Sequence, residues 1–109
     1  MDYGISHKYD EDKECWEVEL SGEFDIFNSA ILKNELNQLT EQKNTDMVLD
    51  CAALDYIDST AIGSLVAVLK NVKTYGGKVY LLNLKPNLLK LFRITNLNKV
   101  FEIAGEVNE

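Results

Sequence analysis

Segments with the hydrophobic period of a strand alternate with segments that have the period of a helix, and this alternation limits the possible folds more than any other feature. Strand patterns cover residues 4–9, 15–20, 46–51, 79–82 and 100–103, and helical patterns cover residues 28–42, 58–75 and 86–95. A helix between two apolar strands favours a right-handed crossover and parallel pairing of those strands. The order β-β-α-β-α-β-α-β therefore predicts an α/β fold, with a small mixed β-sheet and helices packed over it.

The composition of individual segments predicts which faces are buried. The run Met47–Leu49 is apolar at every position, which is typical of a central strand covered on both faces. The run Gly22–Asp25 predicts a turn at which the second strand ends, and Asn28 or Ser29 is the expected cap of the first helix. Apolar stripes mark the core-facing sides of the first two helices: Leu32, Leu36 and Leu39, and then Ala61, Leu65, Val68 and Val72.

Length and charge narrow the functions that are open to such a chain. The 109 residues fit a single domain over residues 1–109, with an ordered core at about residues 4–103 and a C-terminus that frays from Gly105. The net charge of −7 disfavours binding to a phosphate backbone or to an anionic membrane. The sequence shows no signal pattern and no apolar run of membrane-spanning length, so we expect a cytoplasmic protein. Cys15 and Cys51 are expected to be reduced, buried and inert.

The segment Asp58-Ser59-Thr60 lies where a buried strand passes into the second helix. Loops at the carboxyl ends of parallel strands are where open α/β sheets form their sites. The first turn of a helix also offers free N–H groups and the positive end of the helix dipole. However, Asp, Ser and Thr are the common caps of any helix. The residues alone therefore leave both a plain helix cap and a functional hydroxyl open.

Two motifs resemble a known family. The run Asp58–Gly63 (DSTAIG), placed after the strand segment Val48–Asp50, is similar to the signature of anti-sigma-factor antagonists of the STAS family. The run Gly22–Asp25 (GEFD) resembles the second signature of that family, a Gly-Glu-apolar-Asp turn after an early strand. Both motifs occur at the expected places in the order of elements. The resemblance extends over nearly the whole chain, from Gly4 to about Ile103.

The resemblance implies a phosphorylation switch centred on Ser59, which corresponds to the family's phosphorylated serine. An anti-sigma factor with serine kinase activity would phosphorylate it with ATP, and a serine phosphatase would remove the phosphate. Only the unphosphorylated form would bind the anti-sigma factor, and that binding frees a sigma factor for transcription. Family members usually have glycine where this chain has Ala61. We expect alanine to be tolerated, because the position is helical and alanine is the better helix former.

The expected partner-binding surface surrounds the acceptor hydroxyl. It comprises Asp25, Asp58, Ser59, Thr60, Ile62, Gly63 and Val66. Asp25 either orients the kinase or the Ser59 hydroxyl, or forms a turn after Phe24. Ile62 and Val66 lie one turn apart and outside the buried stripe, so they form an apolar docking patch, the edge of a wide core, or ordinary scattered surface residues. If they form a patch, Ile62→Glu would leave the fold intact.

No catalytic residue, metal site or cofactor is expected. His7 is the only histidine, and no Gly-Lys-Ser/Thr follows Gly76-Gly77 to make a phosphate loop. We expect a monomer without direct nucleic-acid or membrane contact. The alternative function is an unswitched STAS module that serves as a scaffold or a transporter-associated subunit. A nucleotide sensor at the Ser59 helix terminus is the weakest alternative, because the chain is acidic and lacks a Gly-rich loop.

Overall fold

The computed structural model describes residues 2–104, which form five strands and three α-helices in the predicted order. The strands are β1 (Tyr3–Asp10), β2 (Cys15–Phe24), β3 (Asp46–Ile57), β4 (Val79–Leu82) and β5 (Glu102–Ile103). The helices are α1 (Ser29–Gln42), α2 (Ser59–Lys73) and α3 (Pro86–Ile94), and a 3₁₀ turn, η1, covers Leu97–Lys99. The predicted fraying from Gly105 lies outside the described residues.

The strands form one mixed sheet in the order β1-β2-β3-β4-β5. β1 pairs antiparallel with β2, and β2, β3, β4 and β5 pair in parallel. Within residues 2–104 the only antiparallel pair is the hairpin at the start of the sheet, as expected where no helix intervenes between two strands. The predicted mixed α/β sheet is confirmed.

The core lies between one face of the sheet and the helices. Side chains from β2, β3 and β4 meet the apolar faces of α1 and α2 there, and Leu32, Leu36 and Val72 are fully buried. α3 is attached through Leu88 and Phe92, whose ring makes an edge contact with Phe101 at a centroid distance of 5.7 Å. The periodicity of the leucines in α1 and the aliphatic residues in α2 thus predicted the packing faces correctly.

β2 and β3 are longer than the sequence predicted. β2 continues through Gly22–Phe24, and β3 continues past Cys51 to Ile57, because these extensions pair with each other. Gly22 has φ +79, and a Cβ built there would lie 2.1 Å from the carbonyl oxygen of Asp2. Glycine is therefore needed for a strand irregularity at this position, and not for the end of the strand.

The second face of the sheet is more open than predicted. Met47 and Leu49 are buried against the helices, whereas Val48 on the opposite face is half-buried. Shallow depressions on that face are lined only by strand residues and the β1–β2 hairpin, among them Glu17, Val48 and Tyr80. The prediction that Met47–Leu49 is covered on both faces was wrong, because all-apolar composition does not distinguish a helix-covered face from a half-exposed one.

The parallel strands give the molecule two distinct ends. β2, β3 and β4 all run toward one end, and α1, α2 and α3 each begin there and run back toward the other. Ser59, the first residue of α2, therefore lies at the carboxyl end of the sheet, which we call the Ser59 end. Ile94, the last residue of α3, lies about 13 Å along the helix axis from the Ser59 end, given a rise of about 1.5 Å per residue. Within residues 2–104, no helix is both long and apolar enough to cross a membrane.

Candidate functional site

Ser59 begins α2 and is exposed, as is the following Thr60. The residue before them, Asp58, is the N-cap, and its Oδ1 accepts a hydrogen bond from the backbone N–H of Ala61 at 2.9 Å. Among the side-chain hydrogen bonds of residues 2–104, none involves the Ser59 hydroxyl. Asp58 thus acts as the helix cap, and the neighbouring hydroxyl is left available for chemistry.

The second carboxylate oxygen of Asp58 reaches across to the end of β2. Oδ2 accepts a hydrogen bond from the backbone N–H of Ile26 at 3.0 Å. The backbone N–H of Asp58 donates to the carbonyl oxygen of Phe24 at 3.1 Å. These bonds bring together the two motifs that the sequence singled out, although 32 positions separate Ile26 from Asp58.

The turn Asp25–Asn28 connects β2 to α1 and is held by its own side chains. Asp25 Oδ1 accepts a hydrogen bond from the Phe27 N–H at 2.9 Å, and Asn28 Oδ1 accepts one from the Asp25 N–H at 2.8 Å. Asn28 occupies the N-cap position of α1, but its side chain makes no capping bond to the helix. Among the described residues, Asp25 has no hydrogen bond to Ser59. Its carboxylate forms the turn, which was one of its two predicted roles.

The exposed face of α2 differs from the predicted docking patch. Ile62 is only 8% exposed and belongs to the core, while Val66 is partly buried against it. The structure therefore supports the wide-core alternative for Ile62, because the turn Asp25–Asn28 and α1 pack beside the start of α2. Gly63 is exposed, and a Cβ there would meet nothing within 4 Å. Ala61 is helical, as predicted, and buried.

Exposed apolar side chains that the sequence analysis did not single out lie at the Ser59 end. Phe27 is 90% exposed and Ile26 is 64% exposed, and both belong to the turn that Asp58 holds. Tyr3, Ile31 and Tyr56 are also exposed at this end, on β1, α1 and β3. Two adjacent apolar residues between turn-forming Asp25 and Asn28 were the signal that could have revealed this surface.

Acidic groups are also concentrated at the Ser59 end. Glu23 lies near the end of β2 and Asp25 follows that strand, while Asp55 lies near the end of β3 and Asp58 follows it. Asp55 is paired with Lys85 at the start of α3. The remaining carboxylates give this end of the molecule a negative rim, while the N-terminus of α2 presents the positive end of its dipole to Ser59.

The cysteines lie away from this site. Both are free and buried, as predicted. Burial raises the pKa of the Cys51 thiol to about 12, with a further contribution from the Asp50 carboxylate. Burial also raises the pKa of Cys15. Neither thiol is a nucleophile at neutral pH, because the thiolate is the reactive form. No group of His, Cys, Asp and Glu in residues 2–104 is arranged to hold a metal ion.

Comparison with known proteins agrees with this geometry. The family model of the STAS domain matches residues 8–109. The anti-sigma-B factor antagonist of Bacillus subtilis is 34% identical over 83% of this chain and 82% of its own length. A solved anti-sigma factor antagonist from Mycobacterium paratuberculosis superposes with a TM-score of 0.78, at 20% identity, over 97% of this chain and 88% of that one.

The anti-sigma factor antagonist SpoIIAA has been solved in both of its states. Its unphosphorylated form superposes with a TM-score of 0.73 at 17% identity, over 95% of this chain and 90% of that one. Its phosphorylated form, described as a Bacillus cell fate determinant, gives 0.70 at 20% identity, over 94% and 93%. The fold and the site define a STAS domain. This chain belongs to the STAS family, and among its members it is similar to the anti-sigma-factor antagonists.

Proposed function

We propose that this protein is an anti-sigma-factor antagonist controlled by phosphorylation of Ser59. While Ser59 is unmodified, the protein binds an anti-sigma factor with serine kinase activity and so releases a sigma factor. The kinase then transfers a phosphate from ATP to Ser59, which ends the binding, and a serine phosphatase restores the active form. The protein itself catalyses nothing and works in the cytoplasm. The observation that carries the proposal is an exposed serine hydroxyl at the N-terminus of α2, beside the capping carboxylate of Asp58.

The local structure can accept the modification. A phosphoserine adds about −1.5 to −2 charges and three acceptor oxygens. At the start of α2 this charge meets the positive end of a helix dipole and the free N–H groups of the first turn. Both states of SpoIIAA share the fold of this chain. These features support the proposal that phosphorylation of Ser59 changes the surface of the domain and leaves its fold intact.

The loss of partner binding follows from the surroundings of Ser59. A phosphate there adds to the carboxylates of Asp25 and Asp58 on the same rim. A partner surface that fits a neutral serine would meet extra bulk and concentrated negative charge. Like-charge contacts of this kind cost several kcal/mol, and a loss of about 1.4 kcal/mol already lowers affinity tenfold. The switch therefore requires no large conformational change.

Intact-mass spectrometry with site mapping tests the proposal. The protein is incubated with ATP and each anti-sigma kinase of the source organism in turn. One added phosphate on Ser59, absent from Ser59→Ala and retained in Thr60→Ala, is the expected result. If no such kinase modifies Ser59 in the folded protein, the switch is refuted, and the unswitched scaffold or transporter-associated module becomes the better interpretation.

A further inference from the structure

Large apolar side chains are not spread evenly over the surface of this molecule. Among residues 2–104, seven are exposed, and five of them lie at the Ser59 end: Tyr3, Ile26, Phe27, Ile31 and Tyr56. The other two are Ile94, the last residue of α3, and Val100, which follows η1. An exposed apolar cluster with a polar rim marks an interaction surface, whereas single exposed apolar residues are ordinary.

The most exposed pair of this cluster is held rigidly. In the turn Asp25–Asn28 every backbone N–H has an acceptor: Asn28 Oδ1 for Asp25, Asp58 Oδ2 for Ile26, Asp25 Oδ1 for Phe27, and the Asp25 carbonyl oxygen for Asn28. The backbone of the turn is therefore fixed, although the side chains of Ile26 and Phe27 extend into solvent. A fixed backbone lowers the entropy that binding must overcome, which favours a docking element.

We propose that Ile26 and Phe27 form the apolar docking element of this protein, which inserts into a hydrophobic pocket with a basic rim on the anti-sigma factor. This inference rests on the proposed function and adds to it the chemistry of the contact. The carboxylates of Asp58 and Asp25 accept hydrogen bonds from the backbone N–H groups of Ile26 and Phe27, so Arg and Lys residues around the partner's pocket would complement them. Buried aromatic anchors of this kind dominate the affinity of many interfaces.

Asp58 is the positioning residue of this element. One of its oxygens caps α2, and the other fixes the Ile26 N–H, so the docking element is tied to the residue next to Ser59. Asp58→Asn separates the two roles. Asparagine is an equally good N-cap, so its oxygen can replace Oδ1, but its NH₂ group cannot accept the bond from the Ile26 N–H.

Calorimetry tests the docking element. It measures, without ATP, the affinity of each variant for the anti-sigma factor that binds the unmodified protein. Phe27→Ala is expected to weaken binding at least about tenfold, as truncation of an aromatic anchor does. Ile94→Ala is the matched control, because Ile94 is 67% exposed at the opposite end, and its affinity should equal that of the wild type. Equal affinities of Phe27→Ala and wild type would overturn the inference while leaving the switch at Ser59 intact. If the wild type binds no anti-sigma factor at all, the proposed function itself fails.

Two further measurements do not depend on knowing the partner. Amide hydrogen exchange of Asp58→Asn should accelerate at Ile26 and stay unchanged at Ala61; unchanged exchange at Ile26 would refute the role of Asp58. Sedimentation across a range of concentrations distinguishes a partner from a second copy of this chain. Self-association that Phe27→Ala abolishes would overturn the assignment to the anti-sigma factor, whereas a monomer at all concentrations supports it.

Discussion

The hydroxyl of Ser64 donates a buried hydrogen bond to the carbonyl oxygen of Ser29, at 2.9 Å. This bond joins the second turn of α2 to the first residue of α1, and both residues are buried. It therefore fixes the spacing of the two helices whose N-terminal ends border the candidate site.

Ser64→Ala removes this bond while adding no bulk. We expect the free energy of unfolding to fall by about 1 kcal/mol, the usual net value of such a hydrogen bond. Urea denaturation monitored by circular dichroism measures the change. Phosphorylation of Ser59 should continue, because α2 remains capped by Asp58. A loss near zero would show that another donor, such as water, satisfies the Ser29 carbonyl oxygen in the variant.

Two glycine-to-alanine substitutions should have opposite effects on stability. At Gly22, φ is +79 and the new Cβ would lie 2.1 Å from the Asp2 carbonyl oxygen, so Gly22→Ala should cost about 2 kcal/mol or more. At Gly63, nothing lies within 4 Å of the new Cβ, and Gly63→Ala should stabilise α2 by about 0.5–1 kcal/mol.

Chemical denaturation of both glycine variants, with the wild type alongside, measures these effects. Gly63→Ala should also weaken binding of the anti-sigma factor, if the partner approaches α2 closely at this position as the resemblance implies. A variant that is more stable and binds equally well would exclude Gly63 from the interface. Equal stability of Gly22→Ala and wild type would contradict the backbone geometry of β2.

Ile62 should behave as a core residue. Ile62→Ala is expected to cost about 2–4 kcal/mol, since large-to-small changes in a core leave a cavity. Ile62→Glu should prevent folding at moderate temperature, because it buries a charge without a partner. Thermal unfolding checks both, with Ile94→Ala as an exposed control that should change stability by less than about 0.5 kcal/mol. A well-folded Ile62→Glu protein would restore the docking-patch interpretation.

Cys51 should make the protein less stable at alkaline pH. The unfolded thiol ionises at a pKa of about 8.5, whereas the pKa of the folded thiol is about 12. Between these values only the unfolded state loses its proton, so this group lowers the free energy of unfolding by about 1.4 kcal/mol for each pH unit. The stabilisation is complete below about pH 8 and is lost progressively as the pH rises toward the pKa of the folded thiol.

Urea titrations at pH 8 and pH 10 on the wild type and on Cys51→Ala test this prediction. Cys51→Ala will be less stable at both values because of its cavity, so the quantity to compare is the change between them. Between pH 8 and pH 10 the free energy of unfolding should fall less in Cys51→Ala than in the wild type, because the variant lacks the thiol that ionises only in the unfolded state. Equal changes in the two proteins would show that other groups, such as Tyr9 with its raised pKa, account for all of the alkaline loss.

The sequence predicted those features that periodicity encodes. The order of elements, the mixed sheet and the buried stripes of α1 and α2 follow from local patterns of apolar residues, and β4 even has the predicted bounds, Val79–Leu82. The extensions of β2 and β3 could not be predicted in this way. Each looks like a loop by composition, and each is a strand because the other supplies its hydrogen bonds.

The candidate site was predicted in part for the same reason. Ser59 and Asp58 stand in a recognisable motif at a helix start, so their place on the exposed rim could be anticipated. The bond from the Ile26 N–H to Asp58 joins residues far apart in the chain, and no local pattern encodes it. The sequence left the burial of Ile62 open, because a helical period locates the centre of a buried face and leaves its width undetermined.

The two bonds of the Asp58 carboxylate restrict how this position can evolve. Serine and threonine cap helices well, but each offers one side-chain oxygen, whereas Asp58 uses two, for Ala61 and for Ile26. A library of variants at position 58 selected only for folding should therefore accept Ser, Thr and Asn. The same library selected for partner binding should retain Asp alone. A surface residue would then tolerate less sequence drift than many residues of the core, where one aliphatic side chain can replace another.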